Sequence, residues 1–113
     1  MKKRNELPDL SKAEYDILRI LWKEGRLNVR EVHDRIQEVY RWAYTTTKTM
    51  MDRMAGKGLL RRDEFHGVFL YEPLISRSAG LAKFVEFFAD RVLEMDTGAV
   101  VSLFARSKAY RTA

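Results

Sequence analysis

Between residues 11 and 73 the apolar positions change period once, and that change limits the folds open to this chain more than any other feature. Up to Gly58 they recur at three- and four-residue steps. From Leu59 onward, in LLRRDEFHGVFLYEP, they follow a two-residue alternation. The first spacing belongs to helices with one buried face, the second to strands.

Three helices are expected. Ser11 and Glu14 in SKAE form a capping-box pattern, with Pro8 just outside it. Tyr15, Ile17, Leu18, Leu21 and Trp22 then make an apolar face, and Gly25 is a stop signal. Asn28 and Glu31 in NVRE repeat the cap, and Val32, Ile36 and Val39 continue the pattern. His33 lies between charged neighbours and reads as an exposed position; Asp16 and Glu31 read as surface carboxylates. The third helix comes from RWAYTTTKTMMDRMAGKG, residues 41–58, with Thr47, Met50, Met51 and Met54 on one face. Its other side carries Thr45, Lys48, Thr49 and Asp52, flanked by Thr46 and Arg53.

The alternating segment predicts a hairpin. Leu60, Arg62 and Glu64 fall on one side and Arg61, Asp63 and Phe65 on the other, with His66-Gly67 as the turn and Pro73 closing the second strand. Ser76 caps a further helix through residues 81–95, in which Glu86, Asp90 and Glu94 form one solvated stripe. Its apolar residues, Leu81, Phe84, Val85, Phe87, Phe88, Val92 and Leu93, are too many for one face. Such a helix must be covered on several sides, and a second copy of the chain is the expected cover. Gly98 is expected to break the pattern before a last apolar helix carrying Val101 and Phe104.

Charge is concentrated in one window. Residues 41–62 hold six cations (Arg41, Lys48, Arg53, Lys57, Arg61 and Arg62) against one anion, Asp52, a surplus equal to the +5 of the whole chain. A basic stripe on one continuous segment is the electrostatic footprint of a polyanion partner. Other classes find little footing. There is no cysteine, hence no thiolate metal site or disulfide, in keeping with a reducing cytoplasm. No run approaches a membrane span, and no apolar segment follows the basic start as a secretory signal requires. The two histidines lie in different elements and no phosphate-cradling glycine loop is present, so catalysis, metal and cofactor are not expected.

Three helices followed by a hairpin is the order of a winged helix-turn-helix. The fold class is therefore mainly α with a small β-hairpin: a DNA-binding domain over residues 8–74 and a helical dimerisation region over residues 75–113. In such a domain the third helix, about residues 43–57, enters the major groove, and the hairpin at 59–73 lies on the backbone. The threonines fit that task. A groove about 12 Å wide admits a helix whose leading face carries short side chains, and threonine can meet phosphates, base edges or a thymine methyl. Lys48 and Arg53 would reach to either flank, with Arg61 and Arg62 at the wing entry; Trp42 and Tyr44 either touch DNA or pack on the core. The competing reading is a winged-helix module for protein contact.

The blocks LSKAEYDILRILWKEG, NVREV, WAYTTTKTMMDRMAGKGLLRR and FLYEPLISR, in order over about residues 10–77, resemble the BlaI/MecI/CopY family of penicillinase and copper-homeostasis repressors. The resemblance implies a dimeric winged-helix repressor on palindromic operator DNA. Tyr44, Thr45, Thr46, Lys48 and Thr49 match its recognition helix. Two features depart from the pattern. The copper-responsive branch binds metal through a cysteine-rich tail, which this chain lacks. The β-lactam branch is cleaved by a receptor-linked protease at an Asn-Phe bond, where this chain reads Leu103-Phe104. The tail is also shorter than is usual for the family, so dimerisation is expected to rest on Leu81, Phe84, Val85, Phe88 and Val92 with Val101 and Phe104.

Overall fold

Both capping boxes form. The Glu14 amide donates to Ser11 Oγ at 3.2 Å while the Ser11 amide donates to Glu14 Oε1 at 2.9 Å. Asn28 and Glu31 exchange the same pair at 2.8 and 2.9 Å. In the computed structural model, which describes residues 10–106, these caps open α1 (Lys12–Glu24) and α2 (Val29–Tyr40). The chain leaves α2 through Arg41 in a left-handed conformation (φ 58°) and enters α3 (Tyr44–Gly56) within three residues. At the far end of α3, Gly58 adopts φ 85°, and the Leu59 amide returns to the Met54 carbonyl at 2.9 Å. This satisfies a helix-end carbonyl and swings the chain into the hairpin.

Strands β1 (Leu60–Phe65) and β2 (Val68–Pro73) pair antiparallel, with Phe65 opposite Val68. His66 and Gly67 both have positive φ (53° and 82°), the turn geometry that matches the twist of paired strands. Leu27, in the α1–α2 connection, exchanges two backbone hydrogen bonds with Tyr71 at 3.2 and 2.8 Å, clamping the hairpin to the helical unit. The core lies among these elements. Leu10, Ile17, Leu18, Leu21, Val32, Ile36, Met51, Met54, Leu59, Leu60 and Tyr71 are all buried there. The arrangement is a winged helix, as the change of period predicts.

Helix α4 (Arg77–Phe88), capped by Ser76 Oγ accepting from the Ala79 amide at 3.1 Å, packs on α1. Gly80 faces the ring of Trp22, and a β-carbon there would overlap the indole. The ring is fixed in turn, because its Nε1 donates to the Ile75 carbonyl at 3.1 Å. One turn further on, Phe84 stacks on Tyr15 with ring centroids 4.9 Å apart. A π-helical turn (Ala89–Leu93) continues α4 and ends at Glu94, which has φ 55°. After a short bend comes α5 (Thr97–Arg106). Among the described residues, no helix is long and apolar enough to cross a membrane.

Four expectations are corrected. His33 is buried rather than exposed, because α3 covers it. Asp16 is also buried, receiving the Tyr40 phenol at 2.6 Å and Lys12 at 2.7 Å. Val39 keeps the helical period but stands 68 % exposed, since Tyr40 takes the core-facing place in the last turn of α2. Gly98 does not break a helix: it sits in the first turn of α5, where Asp96 Oδ1 accepts from the Ala99 amide at 2.8 Å, and the break falls at Glu94. Residues 1–9, with Pro8, and 107–113 lie outside the described residues.

Candidate nucleic-acid interface

The four threonines of α3 divide between two tasks. Thr47 is fully buried, while Thr45, Thr46 and Thr49 are exposed. The N-cap of α3 is Ala43, with no side-chain capping hydrogen bond, so the cluster does not serve to start the helix. With Met50 and Arg53 the three exposed threonines line a shallow concavity of about 240 Å³. Met50 is thus half-buried at its edge, while Met51 and Met54 are the fully buried pair that hold α3 to the core.

Thr47 fixes the entry to the helix. Its hydroxyl accepts from Trp42 Nε1 at 2.6 Å and lies 2.8 Å from His33 Nδ1 on α2. The Trp42 ring stacks on Tyr40 at 4.6 Å. This tryptophan therefore shapes the turn between α2 and α3. Tyr44 packs edge-on to His33 at 5.6 Å, and the Arg30 guanidinium lies over its ring at 4.5 Å.

The charge window is less bare than its sequence. Asp52 Oδ2 accepts from Lys48 Nζ at 2.8 Å, and Oδ1 accepts from the Tyr71 phenol at 2.6 Å and from Arg62 Nη1 at 3.1 Å. Partial burial pushes this carboxyl up, but hydrogen bonds from Lys48, Tyr71 and Arg62 outweigh it and hold its pKa below the ordinary value. Burial, then the bond to Asp52, pushes the Tyr71 phenol up to about 12. Lys57 meets the buried Glu14 at 2.6 Å, tying the end of α3 to the start of α1. Arg61 and Arg62 emerge on opposite faces of the hairpin, and Arg61 is held by Asp63 at 2.9 Å and Glu72 at 3.6 Å. Among the described residues, Arg41 and Arg53 have no carboxylate at ion-pair distance, and Arg53 stands beside the threonines.

Further features escaped the sequence reading. Arg30, Tyr44, Lys48, Val68, Phe69 and Tyr71 line a second cleft, of about 270 Å³, between α2, α3 and the wing. Phe65, Val68 and Phe69 leave the wing tip apolar and exposed. Tyr71 was legible only as a strand residue, because its partner Asp52 lies on another element. In the C-terminal helices Leu81, Phe88, Val92 and Val101 are exposed and Val85 is half-buried. Phe84 is occupied by Tyr15, and the Phe104 side chain lies outside the described set.

Comparison with known proteins agrees with this geometry. The penicillinase repressor family model matches residues 10–112. The penicillinase repressor of Bacillus licheniformis is 33 % identical over 73 residues, covering 65 % of this chain, which spans only 57 % of that relative's length. The methicillin resistance regulatory protein MecI of Staphylococcus aureus (strain N315) is 23 % identical over 104 residues, covering 92 % of this chain and 85 % of MecI. The solution structure of the DNA-binding domain of the repressor BlaI superposes with a TM-score of 0.57 at 33 % identity, covering 69 % of this chain and 92 % of that one. Monomeric B. licheniformis BlaI in complex with the blaP half-operator superposes equally well, at 32 % identity over 65 % of this chain and 89 % of that one. The YusO protein of Bacillus subtilis, at 21 % identity and a TM-score of 0.56 over 88 % of this chain and 65 % of its own, shares the fold. By the extent of the family match, the chain belongs to the penicillinase repressor family.

Proposed function

We propose that this protein is a sequence-specific transcriptional repressor of the cytoplasm that binds palindromic operator DNA as a homodimer. The observation that carries the reading is the outward face of α3. Three exposed threonines with no capping duty stand beside Arg53, which among the described residues has no carboxylate at ion-pair distance, on a helix whose other face is locked into the core. Short hydroxyls let the helix backbone approach base edges that longer side chains would hold away, and the relative BlaI is known in complex with a half-operator.

In this reading Thr45, Thr46 and Thr49 face the groove, with Lys48, Arg53 and Arg62 toward phosphates. Tyr44 borders the cleft, and Trp42 acts through Thr47. Arg61, compensated on the other face of the hairpin, is assigned to the wing itself. Residues 8–74 form the reading head and residues 75–113 the dimerising region, with Leu81, Val85, Phe88, Val92 and Val101 as the contact and Phe84 bracing it.

Selection of bound sequences from a random duplex pool tests this. A recovered two-fold motif, bound more tightly than its scrambled version, is expected. Recovery of no motif together with equal binding of all duplexes overturns sequence-specific repression.

A further inference from the structure

Asp52 is the single acid between Arg41 and Arg62, and it stands in the middle of the surface that the DNA reading requires to be basic. It does not sit there idle. One carboxylate oxygen holds Lys48 of α3 at 2.8 Å; the other holds Arg62 at 3.1 Å and the Tyr71 phenol at 2.6 Å, both on the hairpin. Two cations needed for phosphates are thus drawn to one anion. The same anion is also the joint between the third helix and the wing.

We propose that Asp52 is the specificity-determining positioning residue of the interface: it binds Lys48 and Arg62 in a shared ion pair that competes with phosphate for both. The inference rests on the DNA-binding reading above. Contact with an arbitrary duplex is dominated by phosphates, so a carboxylate that compensates two cations weakens it directly. Operator binding draws also on the threonine face, whose distance from the wing is fixed by the two hydrogen bonds from Arg62 and Tyr71 to Asp52. Asp52 therefore lowers affinity for random DNA more than affinity for the operator. The anion is retained at ordinary pH, since its three donors hold its pKa below the usual carboxylate range against the opposing effect of burial.

The test compares the full chain with Asp52→Asn and Tyr71→Phe on the selected operator duplex and a scrambled duplex, across a salt series. Asn keeps an acceptor for the phenol and Arg62, removes the charge, and puts an amide donor where Lys48 had its acceptor. For Asp52→Asn, affinity for the scrambled duplex is expected to rise about five-fold, the slope of log affinity against log salt to steepen by about one, and the operator preference to fall. Tyr71→Phe loosens the joint while keeping the charge, so its salt slope is expected to match the wild type. An Asp52→Asn protein of unchanged helical content, unchanged scrambled-duplex affinity and unchanged slope overturns the proposal and leaves DNA binding standing. Should Asp52→Asn lose its helical content, Asp52→Gln is measured in its place against the same outcomes. A wild type with no salt-dependent duplex binding overturns the DNA reading itself, and this proposal with it.

Discussion

Trp42 and Thr47 meet in a 2.6 Å hydrogen bond that closes the turn between α2 and α3. Because Thr47 also reaches His33, one buried hydroxyl holds together both helices of the helix-turn-helix. Thr47→Val leaves the indole N–H and the imidazole without this partner and is expected to cost about 1–3 kcal/mol in denaturant unfolding. Thr45→Val, on an exposed site of the same helix, is expected to stay within about 0.5 kcal/mol while reducing the preference for operator over scrambled DNA. Equal stability losses for the two would refute the division of labour.

Arg61, on the wing, and Arg53, on α3, separate by charge compensation. Arg53→Ala is expected to weaken every duplex and to flatten the salt dependence by about one in log–log slope, as for one lost phosphate contact. Arg61→Ala, with its guanidinium already held by Asp63 and Glu72, is expected to leave that slope unchanged and to cost the fold less than about 1 kcal/mol. Fluorescence anisotropy over a salt series reads both. A steeper loss for Arg61→Ala than for Arg53→Ala would reverse the assignment.

Alkaline stability follows from two buried-side phenols. Tyr71 is pushed up to about 12 by burial and by Asp52, and Tyr40 to about 12 by burial and by Asp16. An unfolded tyrosine ionises near pH 10, so between about pH 10 and 12 the unfolded chain releases protons that the folded chain keeps. The stability these groups contribute is complete below pH 10 and is lost as pH rises through that window. Asp52 works at the opposite end: its lowered pKa contributes stability above the ordinary carboxylate value of 3.8, which is lost as pH falls through its own. Melting temperatures of Tyr71→Phe and Tyr40→Phe are expected to decline less steeply from pH 10 to 12 than those of the wild type. Parallel curves would contradict this.

For the proposed dimer, Phe88 is the discriminating residue, since it is exposed while Phe84 is engaged with Tyr15. Phe88→Asp is expected to give a folded monomer by light scattering, with operator affinity reduced at least about tenfold through loss of two-site binding. A solution mass unchanged from the wild type would remove Phe88 from the contact.

What could be read from the sequence was governed by the range of the interactions. The caps at Ser11 and Asn28, the Gly58 exit and the His66-Gly67 turn are set by residues within a few positions, and each was legible. So was the outward face of α3, because helical period alone separates Thr47 from Thr45 and Thr49. His33 and Asp16 were misread because their partners, Thr47 and Tyr40, are 14 and 24 residues away, and charged sequence neighbours say nothing of what folds over them. The Asp52–Tyr71 contact is hidden for the same reason. The compensation of the basic window is hidden likewise, since Glu14, Asp63 and Glu72 lie outside it in sequence but against it in space.

The seat of Gly80 on Trp22 bears on how far apart two copies of the proposed reading head would stand. A ring pinned by its own N–H to Ile75, pressed on a residue without a side chain, leaves α4 little freedom to swivel on α1. In a symmetric pair joined through the later helices, that joint would behave as a rigid bracket rather than a hinge. The half-site spacing such a pair tolerates would then be gauged at residue 80, on α4 and not on the proposed reading helix α3.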